Sequence, residues 1–165
     1  MTLEALKSYA DSNTLRLGNQ IGFGIHGRVH TLFSDENRAA TAVKLFEDEA
    51  AFEREVAVYQ RLKDLKIVRI GAFNVPILLD FVQVDFILHI SIVPRPFCLD
   101  FASAYLDELP AYFPPFDQAW HADKENQFGS EHWPEVLAAI RELESHGIFQ
   151  TDVSPSNIAL PKGQH

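Results

Sequence analysis

The feature that most constrains the fold is a glycine-rich segment, IGFGIHGRVH (residues 21–30), which lies between two stretches with β-strand character. Its glycines, Gly22, Gly24 and Gly27, have the spacing G-x-G-x-x-G, which suits either a loop around phosphates or a flexible turn. A dinucleotide-binding turn of this type requires a helix to begin inside the glycine loop. Here the chain continues as RVHTLFS, an alternating strand pattern, so the sequence predicts a glycine hairpin instead.

The remainder of the first half predicts three more strands and one helix. The run AATAVKLF, which carries Lys44, is rich in apolar and β-branched residues and predicts a third strand. Residues 48–63 predict an amphipathic helix because apolar side chains recur at helical spacing. This stripe consists of Phe52, Val56, Tyr59 and Leu62. The runs VPILLDF and DFILHISIV predict two further strands, and the prolines that follow end the second of them.

The second half has weaker patterns. Residues 97–109 are short and helical in character, and residues 110–130 form a segment rich in proline, aromatic and acidic residues that predicts irregular structure. A second long helix is predicted from Pro134 to the glycine at position 147. The segment GIFQTDVSPSNIAL then predicts a loop that enters a short strand. With a short helix over residues 3–11, the chain is predicted to have an α+β fold.

Composition restricts the function classes. The formal net charge of −9 argues against a nucleic-acid partner or an anionic membrane surface, because both require a basic patch. Polar residues interrupt the longest apolar region, which excludes a simple membrane span, and no secretory signal is recognisable at the start. The lone Cys98 is interpreted as a buried apolar residue, and the histidines as structural or surface groups. We therefore expect a cytoplasmic or nuclear protein.

The order of these patterns resembles the protein-kinase-like superfamily. The family signature G-x-G-x-x-G-x-V is matched by GFGIHGRV, V-A-I-K by TAVK, and the spacing of the catalytic-loop Asp and Asn by DVSPSN. The resemblance spans residues 15–160. It implies an N-lobe over residues 14–94, with a five-stranded antiparallel sheet and one αC-type helix, and a hinge with a truncated, mostly helical C-lobe over residues 95–165.

The resemblance implies a binding site for ATP or ADP. Gly22, Gly24 and Gly27 would let backbone N–H groups approach the phosphates where a Cβ would collide. Val29 and Ala42 would contact the adenine ring.

The resemblance also implies catalytic and metal-binding roles. Lys44 would neutralise the α- and β-phosphates, and Glu55 would hold the Lys44 ammonium by an ion pair. Asp152 would accept the proton of the acceptor hydroxyl, and Asn157 would bind Mg²⁺. Taken singly, these residues have plainer explanations: a solvated strand-end lysine, a helix-surface charge, a turn former and a turn cap.

Two departures from the family pattern are visible. After Asn157 the printed sequence has only IALPKGQH, without an acidic residue, so we expect the Asp-Phe-Gly metal ligand and most of the C-lobe to be missing. Gln150 and Thr151 stand where typical members have His-Arg. Loss of the lobe is expected to expose apolar residues 136–143, a candidate surface for a protein partner, unless residues 110–128 fold back as a cover.

Three hypotheses follow. The first is an ATP-binding, pseudokinase-like protein of phosphotransferase descent with weak or incomplete activity and an incomplete Mg²⁺ site. The second is an active ATP-dependent kinase of protein or small molecules that uses Asp152 and Asn157. The third is an interaction module that keeps the scaffold without binding a nucleotide.

Overall fold

The computed structural model describes residues 3–24, 26–34, 41–113 and 116–161, and shows an α+β fold. The helices in these ranges are α1 (Leu3–Ser12), α2 (Glu49–Asp64), α3 (Gln118–Phe128) and α4 (Trp133–Ser145). The strands are β1 (Leu15–Gly24), β2 (Gly27–Ser34), β3 (Thr41–Phe46), β4 (Arg69–Ile70), β5 (Phe73–Asn74), β6 (Leu78–Val82), β7 (Ile87–Ser91), β8 (Phe97–Cys98), β9 (Ala104–Leu106), β10 (Ile148–Gln150) and β11 (Ile158–Ala159). None of the described helices is both long enough and apolar enough to cross a membrane.

The largest sheet has five strands in the order β1-β2-β3-β7-β6, and every neighbouring pair is antiparallel. The five-stranded antiparallel sheet predicted from the sequence is therefore confirmed. The chain returns as β2 directly after the glycine segment, so no helix begins there. Ile25, residues 35–38 and the first two residues of the predicted third strand lie outside the described residues.

Helix α2 begins where the sequence predicted it, because Asp48 caps its N-terminus. The Asp48 carboxylate accepts a hydrogen bond of 2.7 Å from the backbone N–H of Ala51. The buried face is broader than the predicted stripe, since Val58 and Glu55 are buried as well, whereas Val56 is only partly buried. A carboxylate on that face therefore requires a partner in the core.

Three predictions for the second half are wrong. Residues 97–109 contain strands β8 and β9 instead of a short helix, and the predicted loop after α4 begins with strand β10. The residues of β9 and β10 pair antiparallel across more than forty positions of sequence, from Ala104 opposite Gln150 to Leu106 opposite Ile148. Such long-range pairing leaves no signal in local periodicity. Helix α3 was missed because Phe128 is its one fully buried residue among those described, which leaves no apolar stripe to detect.

The expected exposure of the apolar face of α4 is also wrong. Val136, Ile140 and Leu143 are at most 2% exposed. The alternative, that the segment 110–128 folds back as a cover, agrees with the positions of residues 116–128, which the structure describes. The rings of Trp120 and Phe128, both on α3, lie 5.8 and 6.1 Å from the ring of Trp133 at the start of α4. Aromatic packing of this type contributes both buried area and favourable ring contacts.

Two hydrophobic clusters hold the elements together. The larger cluster is continuous from β3 and α2 to α4, so both halves of the chain contribute to one core. The smaller cluster lies between α1 and the opposite face of the sheet and includes Leu6, Leu32 and Val43. A sheet covered on both faces explains why the residues of β3 after Thr41 are all buried.

Candidate functional site

Lys44 is buried at the centre of the site with two carboxylates. Its Nζ atom donates hydrogen bonds of 2.7 Å to Glu55 Oε2 and 2.8 Å to Asp100 Oδ1. The side chains are 8%, 2% and 35% exposed for Lys44, Glu55 and Asp100 respectively. The ion pair predicted between Lys44 and Glu55 is thus present, whereas the second carboxylate was not anticipated.

Strand register explains why the lysine points toward α2. Lys44 lies opposite Val29 in β2 and opposite Leu88 in β7, in the middle strand of the sheet. Cross-strand partners share a face of the sheet, and so do residues two positions apart on one strand. Val29, Ala42 and Lys44 therefore lie on one face. The sequence-predicted adenine contacts and the predicted phosphate-binding lysine are brought together, with Val29 half-buried and Ala42 buried.

Burial and charge act against each other in this cluster. Burial lowers the pKa of Lys44, but the charges of Glu55 and Asp100 outweigh burial and raise that pKa above its ordinary value. Burial raises the pKa of Glu55, although the Lys44 ammonium acts in the opposite direction. The lysine is therefore charged at neutral pH. With both carboxylates ionised, the cluster has an excess of one negative charge.

Asp100 is held by backbone contacts that tie together distant parts of the chain. Its φ of 64° places it in the left-handed region, which aspartate tolerates better than most side chains. Gln150 Nε2 donates to the Asp100 carbonyl oxygen at 3.1 Å. The backbone N–H of the preceding residue, Leu99, donates to the carbonyl oxygen of Asn157 at 2.9 Å. The segment that carries Asp100 therefore lies beside the loop that carries the predicted catalytic residues.

That loop contains Asp152 and Asn157 in contact with each other. Asn157 is 5% exposed, and its Nδ2 atom donates to the backbone carbonyl oxygen of Asp152 at 3.1 Å. Its backbone N–H closes the turn by donating to the carbonyl oxygen of Ser154 at 3.0 Å. Asp152 itself is exposed. The loop thus presents the Asp152 carboxylate to solvent, and Asn157 stabilises the turn. The second observation is also what a simple turn-capping role for Asn157 predicts.

The glycines of the hairpin have different structural roles. Gly27 has a φ of 150°, and a Cβ there would overlap the carbonyl oxygen of Leu45. Glycine is thus required at this position by the sheet itself. A Cβ on Gly22 would make an ordinary contact with Val29, and a Cβ on Gly24 would meet nothing within 4 Å. Of the three, Gly24 is the position whose backbone faces open space.

The end of the hairpin reaches the segment that follows Asp100. His26 Nε2 lies 3.4 Å from the hydroxyl of Ser103. The hairpin and residues 100–103 therefore approach each other on the side of the sheet where Lys44 is buried. Asp100 and Ser103 were not predicted from the sequence. The signal that was available for Asp100 is an Asp-Phe pair directly after a short apolar run, PFCL.

Few groups that could bind a metal ion lie together in the part of the chain that the structure describes. Among the residues with described positions, no three or more His, Cys, Asp or Glu side chains are placed to hold a metal ion. Mg²⁺ commonly uses one or two protein carboxylates together with phosphate oxygens and water. Asp100 has a carboxylate and Asn157 has an amide oxygen, and both are oxygen donors of the kind that bind hard cations.

A scan against protein-family models finds no match for this sequence, and a search of curated proteins finds none. What the described residues bring together is a buried, charged lysine, two carboxylates around it, a glycine hairpin on the same side and an exposed aspartate on a nearby loop. Chemically, the lysine can bind an anion, and the carboxylates can hold the lysine or a divalent cation.

Proposed function

We propose that the chain is a protein-kinase-like protein that binds ATP or ADP together with Mg²⁺, and that its phosphotransferase activity is weak or incomplete. The observation that carries the proposal is the ion pair of 2.7 Å between Lys44 and Glu55. Both side chains are almost completely withdrawn from water. Burial of two charges is costly, and replacement of such pairs by apolar residues often stabilises a protein. A functional use of the ammonium explains its retention better than stability does.

The surroundings of Lys44 support a phosphate ligand. A lysine ammonium is a compact charge that binds phosphate oxygens well when its position is fixed. Glu55 fixes that position from α2, and the centroid of the Phe46 ring lies 4.7 Å from Nζ. A Cβ on Gly24 would meet open space, and the hairpin that contains this glycine would offer backbone N–H groups to the phosphates, since glycine allows close approach of a ligand. These groups together would recognise the phosphates of a nucleotide.

The remaining proposed roles concern the loop after α4. Asp152 is exposed and would accept the proton of an acceptor hydroxyl, while Asn157 holds the turn and would bind the metal ion. When bound, Mg²⁺ would neutralise charge on the phosphates. The alternative is an interaction module that binds no nucleotide. Its proposed partner surface was the apolar face of α4, and that face is buried, so this alternative is less well supported.

Binding of nucleotide can be tested by calorimetric titration of ATP and ADP, with and without Mg²⁺. We expect binding by the natural sequence and loss of binding in the Lys44→Met, Glu55→Gln double variant. This double variant removes both deeply buried charges, and the remaining carboxylate, Asp100, is 35% exposed to solvent, so the variant is expected to fold. Lys63→Met, on the exposed side of α2, is the control and should bind normally. Absence of nucleotide binding by the natural sequence contradicts the proposed function.

A further inference from the structure

We propose that Asp100 is a ligand of the Mg²⁺ ion that accompanies the nucleotide. The inference depends on the proposed function, because the ion would bind together with the nucleotide phosphates. The sequence predicts an incomplete metal site, whereas Asp100 would supply a carboxylate to that site from a segment that precedes the loop with Asp152 and Asn157.

The first support is strand pairing. In the family that the sequence resembles, the second metal ligand follows a hairpin that begins after the catalytic-loop Asn. Here strand β11, which begins directly after Asn157, pairs antiparallel with β8, with Ile158 opposite Cys98. The chain leaves β8 through Leu99 and reaches Asp100 two residues later. An aspartate thus lies two residues after the end of the strand that pairs with β11, although that strand lies upstream.

The second support is the position of the Asp100 carboxylate. Its Oδ1 atom lies 2.8 Å from Lys44 Nζ, the group proposed to bind phosphate. The Asp100 side chain is 35% exposed, whereas the Glu55 side chain is 2% exposed. Of the two carboxylates that contact Lys44, Asp100 is therefore the one that a solvated ion can reach. A carboxylate has a second oxygen, and one oxygen can contact a metal ion while the other contacts the lysine.

The third support is charge balance. Two carboxylates and one ammonium give the cluster an excess negative charge, which repels a nucleotide polyphosphate. A divalent cation between Asp100 and the phosphates converts this repulsion into attraction. Without a cation, Asp100 would compete with the phosphates for Lys44. The same geometry therefore predicts that nucleotide binding depends strongly on the cation.

The fourth support is the buried polar shell around Asp100. Gln150 donates to the Asp100 carbonyl oxygen, and the ring of Tyr59 packs against the next residue, Phe101, at 5.3 Å. Gln150 Oε1 is buried and has no hydrogen-bond partner among the described residues, whereas the Tyr59 hydroxyl lies beside the Asp100 backbone. These contacts hold the Asp100 backbone, so its carboxylate stays beside Lys44.

The test compares the natural sequence with Asp100→Asn by titration with ADP, with and without Mg²⁺. Asparagine has the same shape and is tolerated at positive φ, so the variant is expected to fold. We expect Mg²⁺ to tighten ADP binding by about tenfold or more in the natural sequence. In the variant we expect less than about a twofold effect of Mg²⁺. Metal-free binding should be retained or become tighter, because Asp100 no longer competes with the phosphates for Lys44. Asp107→Asn is the matched control, because Asp107 is also an ion-paired aspartate at positive φ.

A second readout follows Mn²⁺ directly by the relaxation of water protons. Mn²⁺ with ADP should give an enhanced relaxation signal with the natural sequence and the Asp107→Asn control, and little enhancement with Asp100→Asn. An unchanged cation effect in Asp100→Asn overturns the inference, as does a natural sequence that binds ADP without any cation effect. Tighter ADP binding by Asp100→Asn in both conditions also overturns it, since Asp100 would then be only a competitor of the phosphates. Absence of any ADP binding overturns the proposed function as well.

Discussion

The hydroxyl of Tyr9 on α1 lies 3.0 Å from Nδ1 of His89 in β7, eighty positions away in the sequence. The same hydroxyl donates to Asp80 Oδ2 at 2.8 Å, and His89 Nε2 lies 2.7 Å from the hydroxyl of Thr41. Because the Tyr9 proton is donated to Asp80, the Tyr9 oxygen accepts from Nδ1–H, and Nε2 accepts from Thr41. A neutral imidazole satisfies this network, which attaches α1 to the sheet.

Protonation of His89 should weaken the fold. Burial lowers the pKa of His89 below its usual 6.5, although the charge of Asp80 acts in the opposite direction. The neutral form therefore contributes stability that is present above pH 6.5 and is lost as the pH falls through the lower pKa of the folded state. Urea unfolding at pH 7.5 and 5 measures the loss. In His89→Gln the loss should be smaller, whereas in His132→Gln, a partly exposed control, it should be unchanged.

Removal of Lys44 alone should destabilise the protein more than removal of the pair. Lys44→Met leaves Glu55 buried without its cation, which costs about 3–5 kcal/mol, whereas Lys44→Met with Glu55→Gln should recover most of that loss. Burial raises the pKa of Glu55, so the single variant should become less stable as the pH rises from 5 to 8. Urea unfolding of both variants gives the comparison, and equal stabilities would contradict it.

Substitution by alanine should affect the stability of the protein differently at Gly24 and at Gly27. Gly27→Ala places a Cβ against Leu45 at a positive φ and should cost about 1–3 kcal/mol of unfolding free energy. Gly24→Ala meets open space and should change stability by less than about 0.5 kcal/mol. Thermal unfolding distinguishes the two variants. If Gly24→Ala reduces ATP binding while stability is unchanged, the phosphate role of that position is supported.

Cys98 should be unreactive in the folded protein. It is fully buried, and burial raises the pKa of its thiol to about 12, so thiolate is scarce at pH 8. Dithiodipyridine should modify the urea-unfolded chain rapidly and the native protein only as fast as it opens. The chain has one cysteine, so the signal reports on this position alone. Rapid complete reaction of the native protein would contradict the prediction.

Elements with strong local patterns were predictable from the sequence. The helices α1, α2 and α4 and the strands of the large sheet have apolar periodicity or clear end signals, such as Asp48 before α2. The short strands β8, β9 and β10 have two or three residues each and depend on partners far away in the chain. Their local sequence does not distinguish strand from short helix. Helix α3 lacks an apolar stripe and was missed for that reason.

The candidate site likewise has one contact that the sequence predicted and one that it did not. Lys44 and Glu55 are eleven positions apart, on a strand and the helix that follows it, so the order of the elements was enough to predict their contact. Asp100 reaches Lys44 over fifty-six positions, through a left-handed backbone conformation that local periodicity does not encode. Contacts of that kind are set by tertiary structure, and sequence reasoning finds them only when a motif stands in its usual place.

The pairing of β8 with β11 also affects the order in which the site assembles during synthesis. Lys44 and Glu55 can meet once the ribosome has released β3 and α2, since their contact needs only nearby chain. The pairing of β8 with β11 must wait until residue 159 has emerged, whereas β5, the other partner of β8, is released earlier. Until then Leu99 lacks its bond to Asn157, and Asp100 is not yet fixed. The nascent protein would therefore have the lysine–glutamate pair well before it could hold a cation beside it.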